Sequence, residues 1–458
     1  MWNLITFAVM KGKVPQFVIG APSSGCGKTT VATGIMALLR LRGYAVQPFK
    51  CGPDYIDTKF HEAACGRTSV NLDTFMASAA HVRDLYAHYV NGSLCDVAVI
   101  EGMMGLYDGY CRSRGSAAEI ARLLGVPVIL LVDARSAAYS IAPLLHGFLS
   151  FDPRLSIAGV IFNRVGSERH KTMLREVCDD VGVECLGFLP YSKAVEQGER
   201  YLGLDISHIY DKEDDALANW IGDNIDWKRM LEATERETPS GGDPFDETAS
   251  LLDSLLPGRG RRKIVVATGD EAFTFIYKEH IDLLGRIGRV EYINPADDDE
   301  VADDTDLLYL PGGYPEKRAR ALSEARRSLG SVGRYARGAI GGKGSVIAEC
   351  GGMMYLCDNI ITDEGIFPMA GVLPHDITAR SNDRHLSLGY READVRGGML
   401  SGHTLRGHEF HYTQFTPAGM PPSDATVRNA RGGETHSPIV ARGELIASYT
   451  HLYLASIR

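Results

Sequence analysis

Residues 20–30 read GAPSSGCGKTT, directly after the apolar, β-like run from Phe17 to Gly20 and directly before a helix-like stretch. That is the setting of a phosphate-binding loop. Such a loop needs a helix N-terminus whose backbone N–H groups hold phosphates, and small residues that let the backbone come close. Gly25 and Gly27 supply the latter. Lys28 is placed to neutralise phosphate charge, Thr29 to set an oxygen on magnesium, and Thr30 follows at the start of the helix. Aligned on Gly27, Lys28 and Thr29, the usual GxxxxGK[ST] pattern begins with glycine, whereas this chain has Pro22 there. A strand, a tight loop and a helix in this order commit the chain to an α/β sheet, with ATP and Mg2+ as the expected ligands.

The rest of the N-terminal half agrees. Short apolar runs at Phe17 to Gly20, Ala45 to Phe49, Val97 to Glu101, Val128 to Asp133 and Ile157 to Asn163 alternate with longer helical patterns, the rhythm of a mostly parallel sheet wrapped by helices. Between about Trp227 and Arg262 the composition shifts to Glu, Thr, Ser, Pro and Gly. A second alternation follows: KIVVATGD, a helix through His280, a strand near Glu291 to Ile293, LLYLPGG and SVIAECGG. At 458 residues the chain is too long for one ordinary core. The expected division is residues 1–226, a linker at 227–261 with a helix near Thr248 to Leu256, and residues 262–458.

Composition narrows the function classes. A formal net charge of −10 gives no basic face for nucleic acid, and no stretch approaches the roughly 20 apolar residues of a membrane span. The opening MWNLITFAVMKGK has neither a basic leader nor a small-residue cleavage site, so it is not expected to be a signal peptide. Nine cysteines without a CxxC pair suit a reducing cytoplasm better than a disulfide framework.

Two further segments belong with the phosphate loop. DVAVIEGMMGLYDG sets Glu101 at the end of an apolar strand, where a carboxylate can face the metal and phosphates. Read alone, such an acid is an ordinary cap or a solvated loop residue; its pairing with the phosphate loop favours the functional reading. PFKCGPDYIDTKFH packs Lys50, Asp54, Asp57 and His61 around a Gly-Pro turn after a strand, although Asp54 could equally cap a helix.

In the second half, SVIAECGGMMYL puts Cys350 between an apolar strand and Gly351-Gly352, the sharp elbow an exposed nucleophile wants. A lone cysteine there is more often a buried thiol, so its surroundings decide. LLYLPGGYPE offers Gly312 and Gly313 as oxyanion donors beside the N–H of Gly351. ASYTHLYL offers His451 as the base that activates Cys350.

APSSGCGKTT, KCGPDYIDTKFH, NLDTFM from Asn71 and EGMMGLYDG resemble the cobyrinic acid a,c-diamide synthases. PGG, ECGG and SYTH, with LGYRE from Leu388 and RGHEFHYT from Arg406, resemble the triad glutamine amidotransferases of the same branch. The resemblance runs from Gln16 to His451. It implies a dethiobiotin-synthetase-like P-loop domain with a parallel sheet, followed by a flavodoxin-like class I glutamine amidotransferase domain. It implies magnesium and ATP at Lys28, Thr29, Asp54 and Glu101, and Asp57 and Tyr55 near the carboxylate being activated. Asn163 of IFNR is similar to the asparagine that reads adenine. Phe188, Leu189 and Pro190 look like a loop closing over the base, and ERYLGL, Glu199 to Leu204, resembles a segment near the domain's end. Many triad amidotransferases carry Glu two residues after the histidine; Tyr453 stands there, which leaves the third member of the group unassigned.

The implied substrates are ATP, glutamine and cobyrinic acid, amidated at its a and c acetates, with nickel-sirohydrochlorin and hydrogenobyrinic acid as the other tetrapyrroles. Arg112, Arg114, Arg384 and Arg391 are candidate partners for substrate carboxylates, or else solvated arginines. A homodimer is left open. The rival from another class is a P-loop partitioning or regulatory ATPase, which usually carries an extra lysine early in its loop. Ala21, Pro22 and Ser23 occupy that region instead.

Overall fold

The computed structural model describes residues 12–92, 95–192, 215–258, 260–269, 271–416 and 419–458. ERYLGL lies outside them. Two compact units emerge, one of Met1–Thr74 and Ser78–Asp243, the other of Phe75–Ala77 and Pro244–Arg458.

The first unit is built on an eight-stranded sheet. Its strands are β1 (Lys13–Gly20), β2 (Val46–Cys51), β3 (Val70–Leu72), β4 (Val97–Glu101), β5 (Val128–Asp133), β6 (Ile157–Val165), β7 (Cys185–Pro190) and β8 (Glu235–Glu237). The order is β3-β2-β4-β1-β5-β6-β7, all parallel, with β8 antiparallel on the start of β1. The central strands are apolar at almost every position because parallel strands are covered on both faces. Phe17, Ile19, Val99, Ile129 and Leu131 share one core with Val31, Ile35 and Leu38 of helix α1 (Lys28–Leu41). Helix α2 (Asp57–Cys65) ends at Gly66, which takes the left-handed turn (φ 74°) and returns its N–H to the Glu62 carbonyl at 2.8 Å.

Chain order makes β1 the switch point, since β4 lies on one side of it and β5 on the other. Ligands of open α/β sheets sit at the carboxyl ends of such strands. The phosphate loop leaves β1 there, Glu101 closes β4 beside it, and Lys50 comes near the end of β2.

The second unit has a six-stranded sheet. Its strands are β9 (Arg262–Ala267), β10 (Gly288–Ile293), β11 (Leu307–Leu310) and β12 (Ser345–Glu349), then Leu445–Ser448 and Ile439–Arg442, in the order β10-β9-β11-β12 and onward. Two four-stranded sheets, which the sequence patterns did not announce, extend the expected α/β layer. One contains Ser387–Val395, Thr404–His411, Ala425–Asn429 and His451–Tyr453. LGYRE and RGHEFHYT prove to be facing partners in it, with Tyr390 opposite His408 and Glu392 opposite Arg406.

The stretch expected as linker is partly structured. Helix Trp227–Ala233 and β8 belong to the first unit, and the division falls between Asp243 and Pro244. The expected helix near Thr248 to Leu256 is present at Asp246–Leu255.

Helix Gly351–Leu356 starts hard against the end of β11, where a Cβ on Gly352 would sit 2.0 Å from the Leu310 carbonyl oxygen. Gly352→Ala is therefore expected to cost at least about 1 to 3 kcal/mol, as overpacked cores do. A lowered urea midpoint of the full chain checks it, and an unchanged midpoint would show that the elbow yields freely.

Candidate active site

The phosphate loop takes its shape from two left-handed glycines, Gly25 (φ 79°) and Gly27 (φ 96°). Pro22 is not among the positive-φ residues, so proline is tolerated where the usual pattern has glycine. The loop is braced from behind by β6. Asn163 Nδ2 donates to the Cys26 carbonyl at 2.8 Å, and Arg164 Nη1 donates to the Gly25 carbonyl at 2.9 Å and to Asp133 at 2.6 Å. A Cβ on Gly27 would come within 2.6 Å of the Asn163 amide, so the loop and its brace fit only with glycine there. From the front, Leu106 N–H donates to the Ala21 carbonyl at 2.7 Å, stitching the loop after β4 onto it. The Lys28 ammonium donates to the carbonyls of Ser23 and Met104.

Beneath the loop lies a buried polar cluster. Thr29 Oγ1 donates to Glu101 Oε1 at 2.7 Å, Lys50 Nζ bridges Glu101 at 3.0 Å and Asp57 at 2.6 Å, and His61 Nε2 meets Glu101 Oε2 at 2.6 Å. Burial alone would raise the Glu101 pKa. The Lys50 charge and the hydrogen bond from His61 outweigh it and hold the carboxyl well below the usual carboxylate range. Burial would lower the Lys50 pKa, but Asp57 and Glu101 outweigh it and keep the ammonium charged.

Asp54, expected at the metal, accepts the N–H groups of Ile56 and Asp57 with Oδ1, at 2.7 and 2.9 Å, at the entry to α2. Tyr55 is buried in the same turn, and Asn71 braces it through Gly52 and Asp54 carbonyls. Among the described residues no group of three His, Cys, Asp or Glu could enclose a metal ion. A hydroxyl and a carboxylate side by side are nevertheless hard oxygen donors of the kind magnesium takes when substrate phosphates and water complete its shell.

Asn163 and Pro190 stand at the ends of neighbouring strands, where the register slips between Asn163 and Val165 and Arg164 turns left-handed (φ 60°). Phe188 and Leu189, expected in a loop, are buried residues within strand β7 instead, with Phe188 stacked on Phe162 at 5.7 Å. Alternation along the strand turns these apolar side chains into the packed faces.

In the second unit Cys350 follows β12 with φ 45°, a strained value for a residue with a Cβ, and its N–H donates to the Ser448 carbonyl at 2.6 Å. The N–H groups of Gly351 and Gly313 point at its sulfur. Gly312 lies against His451: a Cβ there would stand 2.1 Å from the imidazole Cε1. The PGG turn thus has the nucleophile on one glycine and the imidazole on the next. Burial, then the nearby Glu316 charge, push the Cys350 thiol up, and burial pulls His451 down to about 3. Both groups rest neutral.

Tyr453 does not replace the missing glutamate at the imidazole, because its hydroxyl donates to Glu279. Glu349 tethers the histidine strand instead: Oε1 accepts the Leu452 N–H at 3.0 Å while Oε2 accepts the Tyr309 hydroxyl at 2.8 Å, and burial raises its pKa to about 8. Arg391, a candidate for substrate carboxylates, is buried and donates to Glu409 at 2.6 Å, so it is taken up by the protein itself. Arg112, Arg114 and Arg384 are exposed.

Sequence reasoning assigned no role to Lys50, His61, Arg164 or Glu349. Lys50 and His61 stood in a segment noted for its density of polar groups, and Glu349 immediately precedes the nucleophile. Arg164 had no sequence signal beyond its place after Asn163.

Comparison with known proteins follows the same division. The CobQ/CobB/MinD/ParA nucleotide binding domain matches residues 17–203, and the CobB/CobQ-like glutamine amidotransferase domain matches residues 263–458. Hydrogenobyrinate a,c-diamide synthase of Streptomyces coelicolor is 39% identical, over 97% of this chain and 95% of that protein. The chain belongs to the a,c-diamide synthase family. Cobyrinate a,c-diamide synthase of Caldanaerobacter subterraneus is 37% identical over 96% of this chain and 95% of its own length. Hydrogenobyrinate a,c-diamide synthase of Mycobacterium tuberculosis is 38% identical over 97% and 96%.

For this member of the family two outcomes follow. Lys50→Met leaves Glu101 and Asp57 buried without their cation and is expected to cost about 3 to 5 kcal/mol, the usual result of breaking a buried ion pair. Because the folded-state pKa of Glu101 is lowered, its contribution to stability is present above about pH 4.5 and fades as the pH falls below that. Urea titrations of both proteins at neutral and acid pH check this; equal stability would refute it. Alkylation of Cys350 by iodoacetamide, followed by peptide mass spectrometry, is expected to quicken about tenfold per pH unit past about pH 9. A plateau near neutrality would reveal a preformed thiolate.

Proposed function

We propose that this chain is an ATP- and glutamine-dependent ligase that amidates the a and c acetate carboxylates of cobyrinic acid in cobalamin biosynthesis. Membership of the a,c-diamide synthase family supports the reaction class. The observation that carries the ammonia half is the Cys350 elbow, with the N–H groups of Gly313 and Gly351 on its sulfur.

In that half, His451 takes the thiol proton as the sulfur attacks the side-chain carbonyl carbon of glutamine. Gly312, Gly313 and Gly351 are the donors for the resulting oxyanion. Return of the proton to the amide nitrogen releases ammonia and leaves a γ-glutamyl thioester, which water hydrolyses to glutamate. With thiol and imidazole both neutral at rest, the proton leaves sulfur as the attack on the amide proceeds rather than before substrate arrives.

In the nucleotide half, a substrate carboxylate attacks the γ-phosphorus of ATP, ADP leaves, and ammonia displaces phosphate from the acyl phosphate. Each amide consumes one ATP and one glutamine. Lys28 and the N–H groups of the loop through Gly25, Gly27 and Thr30 hold the phosphates, largely a task of positioning and electrostatics. Thr29 and Glu101 are the pair that would hold magnesium, which would supply charge neutralisation at the transferring phosphoryl group. Asp57 and Tyr55 line the carboxylate being activated, and Asn163 and Pro190 flank the adenine. The setting is the cytoplasm; all nine cysteines are free, and among the described residues no helix is long and apolar enough to cross a membrane.

Hydrogenobyrinic acid is the second reading of the substrate, favoured by the name of the Streptomyces coelicolor relative. Purified enzyme offered ATP, glutamine and cobyrinic acid, hydrogenobyrinic acid or nickel-sirohydrochlorin in parallel distinguishes them by the number of amides counted by mass. Two added to cobyrinic acid is the expected outcome, and none on any corrin would overturn the assignment. Cys350→Ala is expected to lose glutamine-dependent amidation and keep ammonia-dependent amidation, whereas Lys28→Ala loses both. Loss of both in Cys350→Ala would sink the two-site scheme.

A further inference from the structure

Glu316 stands two residues beyond Tyr314 and three beyond Gly313, in the short helical turn Pro315–Arg318 that continues the PGG loop. The turn is pressed onto the nucleophile's elbow, since a Cβ on Gly351 would lie 2.9 Å from Pro315 Cδ and 3.0 Å from the Gly313 nitrogen. The residue as a whole is half-buried, yet Oε2 is out of solvent and has no hydrogen-bond partner among the described residues. Its charge reaches the Cys350 thiol and the Tyr449 hydroxyl. Burial raises its pKa to about 7, against the pull of its own backbone N–H, Lys317 and Arg384.

A buried carboxylate oxygen without a donor is costly unless a ligand provides one. Three other carboxylates buried in this unit are satisfied from within: Glu349 by Leu452 and Tyr309, Glu409 by Arg391, His411 and Ser437, and Glu279 by Tyr453. Glu444 also has a buried oxygen without a donor, but it is the turn carrying Glu316 that is pressed onto the Cys350 elbow, beside the atom that glutamine must reach. Glutamine carries one cationic group, its α-ammonium, a few bonds from the amide carbon that Cys350 attacks.

We infer that Glu316 receives the α-ammonium of glutamine and so selects the α-amino acid amide over other primary amides. This rests on the reading of Cys350 as the glutamine nucleophile. An ammonium on the carboxylate replaces the missing donor with a charge-assisted hydrogen bond and cancels the negative charge that opposes thiolate formation at Cys350. Occupancy by glutamine thus relieves two unfavourable features of the empty site together. The elbow and oxyanion donors act on the amide end and Glu316 on the amino acid end.

The test compares glutamine with 4-carbamoylbutanoate, which is glutamine without its α-amino group, as substrates for amide hydrolysis by the full-length chain. The wild type is expected to prefer glutamine in kcat/KM, and Glu316→Gln to lower that preference roughly 10- to 100-fold, the range for a hydrogen bond to a charged group. The loss should fall on glutamine and leave the des-amino analogue little changed. A purely structural role would slow both substrates alike and would overturn the inference, as would a wild type indifferent to the missing amino group. Should Glu316→Gln fail to fold, Glu316→Asp carries the test: a raised KM for glutamine alone supports the assignment, and an equal change for both substrates overturns it. A wild type that hydrolyses neither amide would instead refute the reading of Cys350 itself.

Discussion

Parallel strand pairing is the constraint on which both halves of this chain depend. Because every strand of a parallel ladder runs the same way, whatever follows the strands collects along one edge. The pairing of Ile19 with Glu101, and of Lys50 with Glu101, brings the phosphate loop, a carboxylate and a lysine together from three distant stretches of sequence. The pairing of Leu310 with Ala348 does the same for the PGG turn and Cys350. In each unit ladder register accounts for the place of these groups, whereas His451 comes from the antiparallel sheet.

The two edges are tuned in opposite directions. Around Glu101 the protein keeps charge, compensating a buried carboxylate with Lys50, His61 and Thr29 at 2.6 to 3.0 Å. At Cys350 the reactive pair itself is kept uncharged: thiol and imidazole are both buried, and burial disfavours the ionised form of each. A permanently charged pocket suits a site that must hold polyphosphate. A neutral resting pair suits a thiol that must not react until its substrate has excluded water.

Much of this was legible in the sequence. The loop at Gly25 to Thr30, the strand-end positions of Glu101 and Cys350, and the succession of PGG, ECGG and SYTH are local patterns, and local patterns survive in a linear reading. Long-range pairings do not. The tether from Glu349 to Leu452 and the sequestration of Arg391 by Glu409 each join residues whose partners only the folded register identifies. The antiparallel sheets holding LGYRE and RGHEFHYT were hidden for the same reason, although both segments stood out as motifs. Asp54 shows the converse: the residues alone left a cap and a functional role equally open, the resemblance placed it at the metal, and its Oδ1 accepts the backbone N–H groups of Ile56 and Asp57. The expected loop at Phe188 to Pro190 failed because its apolar residues continue a buried strand.

Pro22 bears on how such loops are recognised at all. The left-handed torsions of this phosphate loop fall on Gly25 and Gly27, and nothing in its path demands glycine at position 22. A pattern search insisting on that first glycine would pass over this chain, although the backbone it folds into satisfies the purpose of the pattern. In this loop the purpose is met by torsion angles at two positions, for which letters are an imperfect proxy.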